Sequence, residues 1–221
     1  MDLNKKDILK RVYFVRHGET AGNVSGKSQT PDIPLSEEGR KQAQFVAERF
    51  TRIHVDKIFA SPYLRAKETA ETIAGKIGKE IVFNELLREI KRPSEILGIS
   101  YHEEEYHRII AEVESRELSP GLRFTDEETL FEMEGRAREI LELLKSDTAK
   151  EILVVSHDVF LKMLLSAMMT ADTELCIKAY REMRYFMTLS NTSITMAEYG
   201  EEPRGGLRWR LRTWNDHAHL G

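Results

Sequence analysis

Residues 12–20 read Val-Tyr-Phe-Val-Arg-His-Gly-Glu-Thr, a short apolar run that ends in an arginine and a histidine. The first four residues predict a buried strand, because β-branched and aromatic residues bounded by a turn are typical of a strand in a sheet core. Similar runs at 57–60, 80–83 and 152–155 predict further short strands, with Ile-Leu-Val-Val at 152–155 the clearest of them. The segment 18–34, rich in turn-forming residues, predicts a loop.

Helical patterns separate the strands, and each begins with a start signal. The predicted starts are Ser36, the Ser61-Pro62 pair of a helix that ends at Gly78, residue 103 of a helix over 103–117, the capping box Thr125-Asp-Glu-Glu128, and an apolar helix after His157. Late strands are predicted near 185–189, 193–198 and 207–214, with a hairpin turn at 202–206. Strands that alternate with helices favour an α/β fold. We expect a three-layer sandwich, with a mostly parallel central sheet, helices on both faces and an antiparallel late strand.

The composition is typical of a globular protein, with 221 residues, 41% hydrophobic and 32% charged residues, and a mean hydropathy of −0.45. A chain of this size predicts one domain, residues 1–221, with a variable segment at 91–123 that we call the roof. The 33 basic and 37 acidic residues leave a formal charge of −4, which gives no support for nucleic-acid binding.

The lone cysteine, Cys176, excludes an intrachain disulfide and a thiolate metal cluster, and it suits a reducing cytoplasm. The first ten residues are charged and lack the apolar core of a signal peptide. The longest apolar stretch, residues 159–169, contains Lys162 and is shorter than the ~20 residues that span a bilayer. We therefore expect a cytoplasmic protein without membrane association, and the sequence leaves its oligomeric state open.

Basic side chains follow three of the predicted strands. Arg16 and His17 follow the first, Arg65 lies in the first helical turn after the second, and His157 follows the fourth. Ligands of parallel α/β sheets bind beyond the carboxyl ends of the strands, so these side chains should meet. Arginine is rarely buried without a partner, and its planar guanidinium matches phosphate oxygens two at a time. The pattern therefore predicts a site for a dianionic phosphoryl group.

The run Arg16-His17-Gly18-Glu19-Thr20, followed by Asn23, resembles the signature of the histidine phosphatase superfamily, which includes the cofactor-dependent phosphoglycerate mutases. The similarity extends in order through nearly the whole chain, in Asp32-Ile-Pro-Leu35, Gly39, Gln42-Ala43, Ser61-Pro-x-x-Arg65-Ala66, Leu87-Arg-Glu89, Ser156-His157 and Asn191-Thr-Ser-Ile194. The resemblance implies that His17 is the nucleophile and that Glu89 protonates the leaving oxygen. The phosphate pocket that it implies consists of Arg16, Arg65 and His157, assisted by Asn23 and the backbone near Thr30.

The chemistry of these residues favours a phosphatase that needs no metal or cofactor. Attack requires a neutral imidazole, and two nearby arginines should lower the pKa of His17 below its ordinary ~6.5. Transfer to His17 divides one difficult displacement into two, and cations stabilise the transferring group. Glu89 would donate a proton in the first step and accept one from water in the second. We predict a phosphoric monoester hydrolase with a phosphohistidine intermediate and water as final acceptor, acting on a small phosphorylated substrate or a phosphoprotein.

Other functions agree with parts of the sequence. A phosphoglycerate mutase would use the same pocket, but the run after Glu89 lacks the pattern of the mutases. A non-catalytic phosphate-binding module would keep the pocket without turnover. Residues 21–28, Ala-Gly-Asn-Val-Ser-Gly-Lys-Ser, superficially fit a nucleotide-binding phosphate loop, but the Gln-Thr-Pro-Asp-Ile-Pro that follows cannot form the helix which that loop requires. An NTPase is therefore rejected.

Two features depart from the family pattern or leave the substrate open. Asp158 and Val159 stand where small glycines often follow the second histidine, so Asp158 either favours the helix N-terminus or weakens anion binding. The roof carries basic residues that contact a sugar, a nucleotide or a phosphoprotein, or that are merely solvated: Arg92, His102, His107, Arg108, Arg116 and Arg123. We expect the roof to select the substrate and the pocket to perform the chemistry. His217 and His219 are expected to be surface residues of the tail.

Overall fold

A six-stranded sheet forms the centre of the computed structural model, which describes residues 8–202 and 205–221. The strands are β1 (Ile8–Arg16), β2 (Lys57–Ala60), β3 (Ile81–Phe83), β4 (Glu151–Ser156), β5 (Ile194–Glu201) and β6 (Leu207–Asp216), in the spatial order β3-β2-β4-β1-β5-β6. The pairs β1–β4, β2–β4 and β2–β3 are parallel, whereas β5 runs antiparallel to both β1 and β6. The predicted mostly parallel sheet with an antiparallel late strand is confirmed.

Helices cover both faces of this sheet. The helices are α1 (Ala21–Ser25), α2 (Glu37–Phe50), α3 (Leu64–Ile77), α4 (Glu104–Glu114), α5 (Leu130–Ser146), α6 (Asp158–Met169) and α7 (Thr173–Phe186). Strand β4 shows the layering: Ile152 and Val154 belong to a core with α5, α6 and α7, whereas Leu153 and Val155 belong to a second core with α2 and α3. Burial on both faces explains its continuous apolar run. The predicted three-layer sandwich is confirmed, and none of the described helices is long and apolar enough to cross a membrane.

Helix α3 begins later than its start signal predicts. The predicted cap was the Ser61-Pro62 pair, but the helix starts at Leu64, with Tyr63 as an N-cap that makes no side-chain capping bond. The hydroxyl of Ser61 is instead 2.8 Å from a ring nitrogen of His157. Ser61 therefore does not cap α3, and its hydroxyl instead contacts His157, the residue that follows β4.

Helix α5 also begins later than predicted, by one helical turn. Its capping box is formed by Thr129 and Glu132, and not by Thr125 and Glu128. The same threonine–glutamate spacing occurs twice in this segment, so sequence alone offers two candidate boxes. The carboxylate of Glu128 is occupied by Arg136, which leaves the second box to cap the helix.

The strand predicted near 185–189 is wrong, because residues 185 and 186 belong to the last turn of α7. The helix predicted after His157 ends at Met169, and Asp172 then caps α7 by accepting a hydrogen bond from the Leu175 amide at 2.8 Å. Aromatic residues favour strands only weakly, and the helical context overrides that preference here. Two helices thus occupy a segment where a helix and a strand were expected.

The remaining predictions concern loops and turns. The segment 18–34 contains the short helix α1, which Thr20 and Asn23 cap reciprocally. No helix follows residues 27–28 before α2, as expected for a segment that is not a nucleotide-binding loop. In the hairpin turn predicted at 202–206, residues 203 and 204 lie outside the described residues, and the Glu202 amide donates to the Gly206 carbonyl at 2.9 Å.

Hydrogen bonds close the roof at its base. The amide of Glu128 donates to the carbonyl of Lys91 at 3.0 Å, and the amide of Ser94 donates to the carboxylate of Asp126 at 2.9 Å. Between these contacts the chain forms α4, which lies within the predicted 103–117. The two ends of the roof therefore meet beside the segment that carries Glu89.

A buried ion pair fixes that segment. The Arg136 guanidinium binds the Glu128 carboxylate through two bonds of 2.6 and 2.8 Å, and its third nitrogen donates to the Arg88 carbonyl at 3.2 Å. The Arg136 and Glu128 side chains are only 8% and 5% exposed. Glu128 also accepts a hydrogen bond from Arg88 at 3.1 Å, so two arginines balance a carboxylate that water cannot solvate.

We expect Arg136→Met to lower the free energy of unfolding by about 3 kcal/mol, because the buried Glu128 would keep only the more exposed Arg88 as a partner. Urea denaturation followed by circular dichroism measures this loss. Arg108→Met is the matched control: it removes an exposed pair with Glu105 and should cost at most about 1 kcal/mol. Equal losses in the two variants would contradict a structural role for the buried pair.

Candidate active site

The candidate site lies beyond the carboxyl ends of three adjacent strands. His17 directly follows β1, and its amide donates to the carbonyl of Ser156, the last residue of β4, at 3.0 Å. His157 is the next residue along from β4, and Arg65 lies in the first turn of α3, which follows β2. Because β2, β4 and β1 are neighbours and parallel, their ends meet at one edge. The structure thus brings together the four basic residues that the sequence singles out.

The hydrogen bonds of His17 identify its free nitrogen. The ring is 3% exposed, and Nδ1 lies 2.7 Å from the Gly18 carbonyl, which can only accept, so Nδ1 carries the hydrogen. The Nε–H of Arg65 points at Nε2 from 3.2 Å. Burial and the charges of Arg65 and Arg16 lower the pKa of His17 well below its ordinary value. His17 is therefore a neutral imidazole with the lone pair on Nε2.

Two glycines allow the His17 loop to pack closely against α2. A Cβ on Gly18 would lie 2.6 Å from the Gly39 carbonyl oxygen, and a Cβ on Gly39 would lie 2.0 Å from the Glu19 carbonyl oxygen. The Glu19 amide donates to the side chain of Gln42 at 2.9 Å. These contacts give a physical reason for the two glycines and the glutamine of the sequence signature: they fix the backbone that holds the imidazole.

Arg16 and Arg65 present positive charge without a carboxylate partner among the described residues. Arg65 is buried, and its Nη1 donates to the Thr30 carbonyl at 3.1 Å. Arg16 donates to the Leu189 carbonyl at 2.5 Å, and its buried Nε has no hydrogen-bond partner in the described chain. Guanidinium groups that lack a carboxylate partner are complementary to an anion with several oxygens.

His157 is completely buried beside His17, with the ring centres 5.2 Å apart. Its Nε2 lies 2.8 Å from the Ser61 hydroxyl, which also accepts the Tyr63 amide at 3.3 Å. If the hydroxyl donates to Nε2, Nδ1 carries the hydrogen, and Nδ1 has no partner among the described residues. Burial and the charge of Arg65 lower the pKa of His157, so the ring is a neutral hydrogen-bond donor.

Glu89 binds the N-terminus of α6. Its carboxylate accepts the amides of Ile90 and Phe160 at 3.0 Å and that of Val159 at 3.2 Å. Burial, followed by the negative charge of Asp158, raises the pKa of Glu89, although these amides and Arg65 oppose the shift. Asp158 thus favours the protonated form of Glu89, which is the form that can donate a proton.

Asn23 and Thr30 take different positions. The Asn23 oxygen accepts the Thr20 amide at 3.1 Å and the Asn191 amide group at 3.3 Å, which leaves the NH₂ group of Asn23 at the cleft. Thr30 acts through its carbonyl, which holds Arg65. Asn191 also donates to the His17 carbonyl at 2.9 Å. Asn191 belongs to the Asn191-Thr-Ser-Ile194 motif, but it was not predicted to lie at the site.

A cleft of about 740 Å³ opens above these residues. Of the six basic roof residues, Arg92 lines it, whereas Arg108, Arg116 and Arg123 pair with the carboxylates of Glu105, Glu112 and Glu132. His102 and His107 are exposed and do not line the cleft. The sequence left contact with the substrate and solvation open for all six; the structure places only Arg92 of these at the cleft, and the other five lie beside acids or in solvent.

Several residues of the cleft wall were not identified from sequence. They include Tyr63, Tyr101, Tyr106, Lys162, Tyr180, Arg184 and Tyr185. Three of them lie on α7, where a strand was expected at its end, so the helical repeat that places Tyr180 and Arg184 on one face went unused. Within the described residues no group of three or more histidine, cysteine, aspartate or glutamate side chains is arranged to hold a metal ion.

Comparisons with known proteins agree with this geometry. The model of the histidine phosphatase superfamily (branch 1) matches residues 12–217. The chain is 32% identical over 218 residues to the probable phosphoglycerate mutase GpmB of Enterobacter sp. strain 638, which covers 96% of this chain and 95% of that protein.

Two solved structures show the same architecture. The phosphoserine phosphatase of Entamoeba histolytica, in complex with 3-phosphoglyceric acid, superposes with a TM-score of 0.74 and 27% identity over 96% of this chain and 99% of that one. A mycobacterial glucosyl-3-phosphoglycerate phosphatase shares the fold, with a TM-score of 0.74 and 23% identity over 94% of this chain and 99% of that one. Together with the family match, they establish that the chain belongs to the histidine phosphatase superfamily.

Proposed function

We propose that the protein is a metal-independent phosphatase of phosphate monoesters that acts through phosphohistidine on His17, with water as the final acceptor. The observation that carries this proposal is the geometry of His17, whose Nδ1 lies 2.7 Å from the Gly18 carbonyl and whose Nε2 lies 3.2 Å from the Arg65 Nε, while Arg16 and Arg65 lack a carboxylate partner among the described residues. A neutral nucleophile and unsatisfied positive charge at one place suit attack on a dianionic phosphoryl group.

The first step forms a P–N bond and breaks a P–O bond. His17 Nε2 attacks phosphorus in line with the leaving oxygen, while Arg16, Arg65 and the Nδ1–H of His157 hold the other phosphoryl oxygens. Protonated Glu89 gives its proton to the leaving oxygen, and the alcohol departs. Binding the transferring oxygens with fixed cations and donors lowers the barrier because the charge they stabilise is greatest in the transition state.

The second step returns the site to its starting state. Water attacks the phosphorus of phosphohistidine, and the Glu89 carboxylate accepts its proton. The P–N bond breaks, and the bond electrons return to Nε2 as inorganic phosphate leaves. No redox partner or metal-bound nucleophile is needed, since the arginines already neutralise the phosphoryl charge.

Two opposite pKa shifts support this division of roles. The reaction needs neutral His17 and protonated Glu89 at once, yet the ordinary pKa values of 6.5 and 4.5 make that combination rare at every pH. Burial with the arginine charges lowers the pKa of His17, whereas burial with Asp158 raises that of Glu89. The shifts therefore increase the fraction of the enzyme in which both groups have the protonation state that the reaction needs.

The relatives support a small phosphorylated acid as substrate, because one neighbouring structure is a phosphoserine phosphatase with 3-phosphoglyceric acid bound. The phosphatases among these neighbours agree with the enzyme class that the sequence predicts. A mutase is the second candidate, since the relative with 32% identity is named a probable phosphoglycerate mutase. The cleft of about 740 Å³ that Glu89 lines has room for water beside the substrate, which favours water as the acceptor. A cytoplasmic location stays a prediction of the sequence.

His17→Ala should lower turnover of p-nitrophenyl phosphate by roughly 10⁴-fold or more, because no other described group can form the covalent intermediate. Rapid quench of the unaltered enzyme with labelled substrate should trap a phosphoryl group that is labile in acid and stable in base. His107→Ala, on the exposed face of the roof, is the control and should keep both signals. Full turnover by His17→Ala would refute the nucleophile.

Asp158→Asn should shift the pH dependence of kcat/KM with glycerol 3-phosphate. Activity falls as pH rises through the pKa of Glu89, and removing the neighbouring negative charge lowers that pKa, so the fall should move to lower pH. Arg65 and Arg92 also face Glu89 and are unchanged in the variant. Glu174→Gln, which removes an exposed carboxylate paired with Lys178, should leave the profile in place. A fixed profile in Asp158→Asn would contradict this influence.

The acceptor is tested by incubating the enzyme with 3-phosphoglycerate, with and without catalytic 2,3-bisphosphoglycerate. We expect release of inorganic phosphate to exceed formation of 2-phosphoglycerate. Both products are followed in the same samples, by a phosphate assay and by coupling to enolase. Isomerisation about tenfold faster than phosphate release, a difference of ~1.4 kcal/mol between the barriers, would establish a mutase instead.

A further inference from the structure

The wall of the cleft above Glu89 contains an arginine that the reaction does not use. Arg92 is half-buried, lines the cleft, and makes no hydrogen bond or ion pair with any described side chain. Glu89 lies within electrostatic range of both Arg65 and Arg92. Arg92 therefore faces the same substrate space as the phosphoryl pocket, with Glu89 near both.

The lack of a partner for Arg92 does not reflect a shortage of acids. The other three arginines of the roof all bind carboxylates, in the pairs Arg108–Glu105, Arg116–Glu112 and Arg123–Glu132. The acids that line the cleft are also engaged: Glu89 by α6, Asp158 by Lys162 and Glu114 by Arg184. Arg92 thus supplies positive charge that the protein itself does not neutralise.

Tyr101, Tyr106 and Tyr180 line the cleft together with Arg92. Tyr180 is 1% exposed as a residue, lines the cleft, and makes no side-chain hydrogen bond with the described residues. The rings of Tyr101 and Tyr106 pack against each other with their centres 5.0 Å apart and their planes at 51°. All three phenols interact electrostatically with Arg92. Burial raises the pKa of Tyr180 to about 12, so its hydroxyl keeps the hydrogen that it can donate. A guanidinium and a buried donor at one place are suited to bind an anion.

We propose that Arg92 and Tyr180 form a second anion subsite, so that the preferred substrate carries, besides its phosphoryl group, another anionic group. This inference rests on the proposed function, in which Arg16, Arg65 and His157 bind the phosphoryl group. The remote group is a carboxylate or a second phosphate, which offer the same recognition to a guanidinium and a phenol. A phosphate ester of a neutral alcohol would leave Arg92 and Tyr180 unpaired and should bind less tightly.

The subsite is tested by binding, which does not depend on turnover. Calorimetry measures the affinity of the His17→Ala variant for two matched pairs of esters at one pH and ionic strength. 3-Phosphoglycerate and glycerol 3-phosphate differ by a carboxylate in place of a hydroxymethyl group. Fructose 1,6-bisphosphate and fructose 1-phosphate differ by the second phosphate. We expect the variant to prefer the ester with the additional anion in one pair by about 30-fold, as for a hydrogen-bonded charge, and that pair identifies the group.

Adding Arg92→Met to His17→Ala should abolish most of this preference, and adding Tyr180→Phe should reduce it several-fold while conserving the packing of the ring. Adding Arg108→Met removes a roof arginine that already has a partner and should keep the preference. Thermal unfolding checks that each variant is folded. Equal affinity of His17→Ala for both members of both pairs, or an unchanged preference after Arg92→Met, would overturn the subsite. A failed phosphatase proposal would appear separately, as absence of hydrolysis by the unaltered enzyme.

Discussion

The structure depends on holding two guanidinium groups and two neutral imidazoles together although, among the described residues, no carboxylate forms an ion pair with either arginine. Unpaired charge at the end of a sheet opposes folding, and carbonyl oxygens such as those of Thr30 and Leu189 only partly offset it. The cores on both faces of the sheet must supply the compensating stability. This unfavourable free energy contributes to binding, because donors and charges that are unpaired in the empty site become paired when an anion with several oxygens binds.

Glu89 lies on a segment without long regular structure, and three separate elements fix it. The Arg136–Glu128 pair holds the backbone on one side. The Ser156 hydroxyl donates to the Leu87 carbonyl at 2.7 Å, which ties the segment to the end of β4. The N-terminus of α6 binds the carboxylate itself. The acid is therefore positioned by the same strand end and helix that carry His157, so that its distance from the phosphoryl pocket is set by the sheet.

The sheet, its order of parallel and antiparallel strands, and the convergence of His17, Arg65 and His157 could be predicted because they follow from short-range patterns and one topological rule. The ion pairs between charged side chains could not be predicted in this way. Whether an arginine beside the cleft is free can depend on acids that are distant in sequence, as Arg184 and Glu117 illustrate with a separation of 67 residues. For the same reason the sequence did not reveal the effect of Asp158, which pairs with Lys162 in the first turns of α6 and also raises the pKa of Glu89. Tyr180 was not predicted at the site because a strand was expected near 185–189, so the side of α7 that lines the cleft was not recognised.

The roof is closed at its base, where Lys91 contacts Glu128 and Ser94 contacts Asp126. The length of the roof can therefore vary without changing the positions of the residues in the phosphoryl pocket. Lengthening a loop whose ends are already joined adds little entropic cost, about 0.6 kcal/mol for each doubling. Insertions and deletions inside the roof can therefore accumulate during evolution without moving Glu89 or His17. Substrate preference in such a protein can diverge by exchange of one surface segment, while the phosphoryl-transfer apparatus beneath it is inherited unchanged.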